Sequence, residues 1–168
     1  GFRLDVSASN NTATTADSDY ISVADNDKTK VFSGSDGETK ILEIEIISDS
    51  KVEADEIIDI AMLNLYVNRV SYSAINILDT STVTILNDDS AAVTIEDVSI
   101  NEDNGDLTFT ATLDNPVQGG FRVEVNSADG TAKIDDADYV AIAAETLTFT
   151  GTQGETQTFT LTTNVDNK

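Results

Sequence analysis

The sequence predicts an all-β chain built as antiparallel β-sandwiches in tandem, each repeat incomplete within the 168 residues. Three observations carry this. Apolar and polar residues alternate through the apolar stretches, turn residues separate those stretches at short intervals, and the end of the chain repeats its beginning. Successive side chains of a strand point to opposite faces, so alternation buries one face and wets the other.

Taken in order, Phe2, Leu4 and Val6 alternate with Arg3, Asp5 and Ser7, giving a strand over 2–8. A second strand is expected over 29–33. Leu42, Ile44 and Ile46 alternate with Glu43 and Glu45, giving a third over 39–47. The stretch from Ala54 to Leu65 is rich in Ile, Ala, Met and Leu and resembles a helix in composition. The alternation of Ile58, Ile60 and Met62, with the repeat alignment, makes it a strand over 56–67. Further strands are expected over 82–87 and 92–97. Leu107, Phe109, Ala111 and Leu113 alternate with Thr108, Thr110 and Thr112 over 106–113, and strands follow over 120–127, 146–150 and 156–163. Threonine, valine and isoleucine suit strands. Ser35-Asp36-Gly37, Asn115-Pro116, Asp129-Gly130 and Thr152-Gln153-Gly154 supply turn chemistry between them.

The repeat is explicit. Gly1-Phe2-Arg3-Leu4-Asp5-Val6 returns as Gly120-Phe121-Arg122-Val123-Glu124-Val125, Thr12-Ala13 as Thr131-Ala132, and Asp19-Tyr20 as Asp138-Tyr139. Gly37-Glu38-Thr39 returns as Gly154-Glu155-Thr156, and Asp49 through Lys51 as Asp166 through Lys168. The offset is 119 from Gly1 to Gly120 and 117 from Gly37 to Gly154, so the first repeat carries two extra residues in between. The phase of the match places 1–90 as a first repeat lacking its first strands and 91–168 as a second lacking its last, a piece of a longer tandem array. The boundary near Asn87-Asp88-Asp89-Ser90 is too short a linker to flex far.

Net charge is −22, with no cysteine and no histidine. Like charge argues against nucleic acid and anionic membranes as partners. Without Cys or His a zinc, copper or haem site has almost no ligands, whereas dense carboxylates suit divalent cations that take oxygen. The plain alternative is a solvated acidic coat that favours solubility. No apolar run of spanning length is present, so no membrane insertion is expected. Carboxylate pairs occur throughout so acidic a chain, and there is no histidine base, cysteine nucleophile, Gly-x-Ser-x-Gly elbow or phosphate-cradling loop, so no enzyme activity is expected.

The order Asp129-Gly130-Thr131-Ala132, Asp138-Tyr139, strand, Gly154-Glu155-Thr156, then an Asp-rich turn with Glu-x-x-Glu and a strand ending in Asn-Asp-Asp resembles the Calx-beta repeat. The resemblance covers the whole chain. It implies immunoglobulin-like seven-stranded sandwiches, some of which bind several calcium ions where two loops and the chain end meet. Carried over by position, it implies Ca2+ ligation in the first repeat by Asp49, Glu53, Glu56, Asp88 and Asp89, and in the second by Glu102, Asp129 and Asp166. Asn10, Asn87, Ser48 and Ser50 stand where richer calcium sites have acids, so the first repeat keeps only part of such a site. Asp17 and Asp19, with Asp135, Asp136 and Asp138, fit turn and backbone-capping roles, Tyr20 and Tyr139 fit packing under a loop, and Asp129 divides between turn residue and ligand.

The resemblance implies a structural, calcium-responsive repeat of an extracellular bacterial adhesin or surface stalk, with adjacent repeats of the same polypeptide as its first partners. Two rivals stand beside it. One is a glycan- or protein-binding module at the cell surface, disfavoured by the absence of tryptophan. The other is a subunit that forms homo-oligomers by strand addition to open sheet edges.

Overall fold

The computed structural model describes residues 1–68, 70–71, 75–77, 79–101 and 105–164. Ten strands and no helix occur among them. The chain divides into two compact units: Gly1–Asp49 with Ala54–Asn87, and Ser50–Glu53 with Asp88–Lys168. Every strand pair is antiparallel.

The first unit contains β1 (Phe2–Asn10), β2 (Thr29–Phe32), β3 (Glu56–Val67), β4 (Val70–Ser71) and β5 (Thr80–Ile85). β3 is its centre. It pairs β1 along one edge and, along the other, β5 at its start and β4 at its end, while β2 pairs the outer edge of β1. The helix-like composition of 54–65 loses to alternation: Glu56 and Ile58 are buried, Ile60 packs with Ile58 against Ala13 and Tyr20, and Met62 packs against Leu4, Val6 and Leu65. Then the phase changes. Leu4 pairs Leu65 but Val6 pairs Met62, so Asp5 faces two residues of β3. Leu63 follows the alternation and lies outside, 54% exposed; this bulge leaves Asn64 exposed as well and returns Leu65 and Val67 to the core.

The expected strand over 39–47 does not form. Its alternation persists, with Leu42 and Ile44 packed inward and Ile41 74% exposed, but its ladder is a single bridge from Ile46 to Tyr20. Flanking bonds run from Ile21 N–H to Glu45 O (2.9 Å) and from Ile47 N–H to Asp19 O (3.0 Å). The second unit gives the reason. There the matching residues form β10, whose ladder partner is β7, and no described strand of the first unit takes the place of β7. Side-chain alternation sets which face is buried, but a strand needs a second backbone to bond.

The second unit contains β6 (Val93–Ile95), β7 (Leu107–Leu113), β8 (Phe121–Val125), β9 (Glu145–Phe149) and β10 (Thr156–Leu161). One sheet has the order β10-β7-β6 and the other pairs β8 with β9. Their facing sides enclose a core of Ala111, Leu113, Leu147, Phe149 and Phe159, with Phe109, Phe121 and Val123 against it. Short Val52 joins this unit: its N–H bonds Pro116 O (2.9 Å) and its carbonyl accepts from Gln118 N–H (2.9 Å).

The repeat is visible in three dimensions. Phe2 stacks on Phe32 with ring centroids 4.7 Å apart, and Phe121 on Phe149 at 5.1 Å, across matching cross-strand pairs. The two extra residues of the first repeat fall between Tyr20 and Phe32, where a turn over 25–27 closes with Asp27 N–H on Ala24 O (2.9 Å) and a Lys28–Asp25 ion pair (2.7 Å).

The long loops after β1 and β8 are locked in the same way. Tyr20 donates its hydroxyl to Asn10 Oδ1 (2.6 Å), and Tyr139 to Asp129 Oδ1 (2.8 Å). Both tyrosines are buried. Burial, then the charge of Asp19, pushes the Tyr20 hydroxyl up, so it stays protonated and able to donate. Replacing Tyr20 by Phe should cost about 0.5–1.5 kcal/mol. Urea unfolding followed by circular dichroism measures this, and no change would mean the hydroxyl adds nothing to the loop.

Candidate metal centre

Asp19 is the acid that sequence position alone assigned to a turn, and it does serve one. Its Oδ2 accepts from Thr14 N–H (2.5 Å), as the Oδ2 of its counterpart Asp138 accepts from Lys133 N–H (2.7 Å). Both loops reach this aspartate through a residue at positive φ, Ser18 at 70° and Ala137 at 58°. Asp19 goes further than its counterpart in one respect. It is 8% exposed, and a carboxylate oxygen of Asp19 lies within 4.8 Å of one from Glu56, itself 7% exposed at the first position of β3.

That separation has chemical meaning. Calcium binds oxygen at 2.3–2.6 Å, so about 4.8 Å is close to the widest spacing at which two oxygens can both reach one ion. Two carboxylates at such range repel, and a divalent cation reverses the sign of the interaction. The donor set is all oxygen, which fits calcium and not zinc or copper. A calcium ion would take further oxygens from carbonyls and water.

The other expected ligands are placed as follows. Asp49 is exposed at the end of the 39–49 stretch. Glu53 is half-buried in the Ser50–Glu53 segment and forms an ion pair with Lys51. Asp88 is exposed and Asp89 half-buried, both following β5. Asp55 takes a structural part at this exit, its Oδ1 accepting from Asn87 N–H (3.0 Å). Glu102 and Asp166 lie outside the described residues.

Asp129 is exposed, and its Oδ1 is occupied by turn contacts. It accepts from Tyr139 Oη (2.8 Å) and from Ile134 N–H (3.1 Å). The tyrosine hydroxyl above all, then the backbone N–H, holds this carboxyl below the usual carboxylate range. Asn10 keeps the same two contacts in the first unit, through Tyr20 Oη (2.6 Å) and Thr15 N–H (3.3 Å). A neutral amide therefore fills the position, and the shared requirement is an acceptor, not a charge.

Sequence reasoning grouped Glu56 with Glu53 by the Glu-x-x-Glu spacing and left Asp19 with the turn acids. Precedence of a buried tyrosine gives no signal, since Asp138 also precedes one, Tyr139, and is only half-buried. No pattern along the chain links position 19 to position 56, because the approach is made by the packing of the loop after β1 over the start of β3.

Taken together, two antiparallel all-β units with matching loop locks and a buried carboxylate pair define a tandem β-module protein with a candidate cation site. The Calx-beta domain matches residues 3–90 and again residues 86–168, and the chain belongs to the Calx-beta domain family in two tandem copies. Among solved structures it is similar to the crystal structure of CBD12 from CALX1.2, at 20% identity and TM-score 0.39, over 99% of this chain and 64% of that one. It is also similar to the crystal structure of calcium binding domain CBD12 of CALX1.1, at 22% identity and TM-score 0.38, over 96% of this chain and 62% of that one. The chain thus spans less than two thirds of the length of either. No curated protein sequence matches it. Among the described residues no helix is long and apolar enough to cross a membrane.

Proposed function

We propose that the chain is a non-catalytic, calcium-binding structural repeat pair of an extracellular adhesin or surface stalk, and that calcium stiffens the succession of repeats. The observation that carries the metal is the approach of two buried carboxylates, Asp19 and Glu56, to within 4.8 Å. Membership of the Calx-beta family and the absence of histidine and cysteine support oxygen-ligated calcium over other metals. The extracellular setting rests on the sequence: an acidic tandem array suited to a calcium-rich exterior. Adjacent repeats of the same polypeptide are the partners of this reading.

Ion binding confined to the folded state stabilises it by mass action. For a site of the weaker extracellular kind, Kd about 10⁻⁴–10⁻³ M, 10 mM calcium adds roughly 1.4–2.7 kcal/mol. The thermal midpoint should therefore rise between EDTA and 10 mM calcium, and less with magnesium. The double variant D19N/E56Q should lose the rise. Equal midpoints in EDTA and calcium would remove the metal from this account.

A further inference from the structure

The turns that follow β2 and β9 carry the same device. In the first unit, Glu38 Oε2 accepts from Ser33 N–H (2.8 Å), Ser33 Oγ (2.9 Å) and Gly34 N–H (3.0 Å). In the second, Glu155 Oε2 accepts from Thr150 N–H (2.8 Å), Thr150 Oγ1 (2.9 Å), Gly151 N–H (3.0 Å) and Thr152 N–H (3.4 Å). The donors sit at equivalent positions, with Ser33 matching Thr150 and Gly34 matching Gly151. The two glycines have nearly equal φ, 90° and 94°, which aims the second N–H at the carboxylate. A carboxylate gripped by several N–H and O–H donors is a strong, charge-assisted anchor.

Position gives the anchor its purpose. In the second unit residues 150–155 carry the chain from β9, in one sheet, to β10, in the other. Glu155 also ties this crossing to β7, since Leu113 N–H bonds its carbonyl (2.9 Å) and Gly154 N–H bonds Leu113 O (2.9 Å). We propose that Glu38 and Glu155 are a duplicated clasp that holds closed the turn after β2 and the crossing after β9.

The charged groups facing each clasp are few. Lys40, just after the first turn, reaches Glu38 Oε1 (3.0 Å) and also sits over the Phe32 ring. Asp36 is exposed within that turn. Near Glu155, Gln157 Nε2 donates to Oε1 (3.2 Å), and Asp114, at the end of β7, is engaged instead by Ala92 N–H and Asn115 N–H (both 2.6 Å). The second clasp is therefore gripped by neutral donors alone among the described residues. Backbone N–H groups above all hold both carboxyls at about 2, against an ordinary 4.5, with the Lys40 ammonium adding to the effect at Glu38 and the Thr150 hydroxyl at Glu155. Because the folded value is depressed, the clasp's contribution is fully present above pH 4.5 and is lost as pH falls through about 2. The clasps thus stay charged and closed down to a pH well below the ordinary glutamate value of 4.5.

The test is an NMR titration of the 168-residue chain, following the Gly34 and Gly151 amide signals and the side-chain carboxyl carbons of Glu38 and Glu155. At pH 3 each clasp should be about one-tenth protonated, whereas an ordinary glutamate is almost wholly so. An inflexion near 4.5 at these four groups would overturn the proposal. E38Q and E155Q supply a second reading. Each should lower the thermal midpoint at pH 7, and the gap from the parent chain should shrink as pH approaches 2. A gap independent of pH would also overturn it. Should E155Q fail to fold, the titration of the parent chain decides alone.

Discussion

Phe149→Ala should lower the stability of the second unit by about 3–5 kcal/mol, the usual cost of emptying a large aromatic site in a closed core. Phe149 is 1% exposed and among the largest fully buried side chains of the protein. It packs with Ala111, Leu113, Leu147 and Phe159 between the β10-β7-β6 sheet and the β8–β9 pair, and it stacks on Phe121. Truncation removes apolar area, the ring pairing and contacts from both sheets at once. No neighbour can fill the space without leaving its own rotamer, since both walls are strands fixed by ladders. Amide exchange on β7 and β10 measures the loss, which should appear as roughly a hundred-fold or greater acceleration. The counterpart ring Phe32 is only half-buried, so Phe32→Ala should cost less. Equal effects at the two positions would show that burial does not set the cost.

Gly151→Ala should destabilise by about 3 kcal/mol or more, for a reason unrelated to the core. Gly151 has φ of 94°, where an L side chain is strained by about 1–3 kcal/mol. A Cβ there would also stand 1.9 Å from Val117 O, a backbone atom that cannot swing aside. Val117 N–H bonds Gly151 O (2.9 Å), so relief of the overlap breaks that contact and disturbs the Glu155 clasp. Gly154 provides the control. Its φ is 73°, but nothing lies within 4 Å of a Cβ built on it, so Gly154→Ala should cost only the left-handed penalty, about 1–2 kcal/mol. Urea unfolding of the two variants side by side gives the comparison. A Gly151→Ala loss no greater than that of Gly154→Ala would refute the close approach.

The sequence was most legible where one strand face meets the core. Alternation assigned β1, β7 and the start of β3 correctly, even where the composition of 54–65 resembles a helix. It failed after Leu63, where Asn64 is exposed and Leu65 buried, because a bulge is set by the pairing of β3 with β1, and nothing in the local pattern shows that Asp5 will face two residues. It failed again at 39–47. There the period is as clear as in β10, but the period reports burial and the ladder reports a partner. Among the acids, the turn roles of Asp19, Asp138 and Asp129 follow from spacing to the next tyrosine and loop N–H groups. The grip of Glu38 and Glu155 was visible only as a repeated Gly-Glu-Thr, a pattern that marks a turn without saying what the carboxylate does.

The order of residues by itself determined the β architecture, its duplication, membership of the Calx-beta family and an oxygen-only ligand chemistry. The architecture, the duplication and the ligand chemistry follow from local periods, self-similarity and composition, and the family from the order of its motifs; none needs distant residues to meet. Tertiary structure alone decided that Asp19 approaches Glu56, that Phe149 closes one core while Phe32 stays half-open, and that Gly151 abuts Val117. Those outcomes depend on which segments, far apart in the chain, are brought within a few ångströms by sheet pairing and loop packing, and a one-dimensional pattern holds no record of that distance.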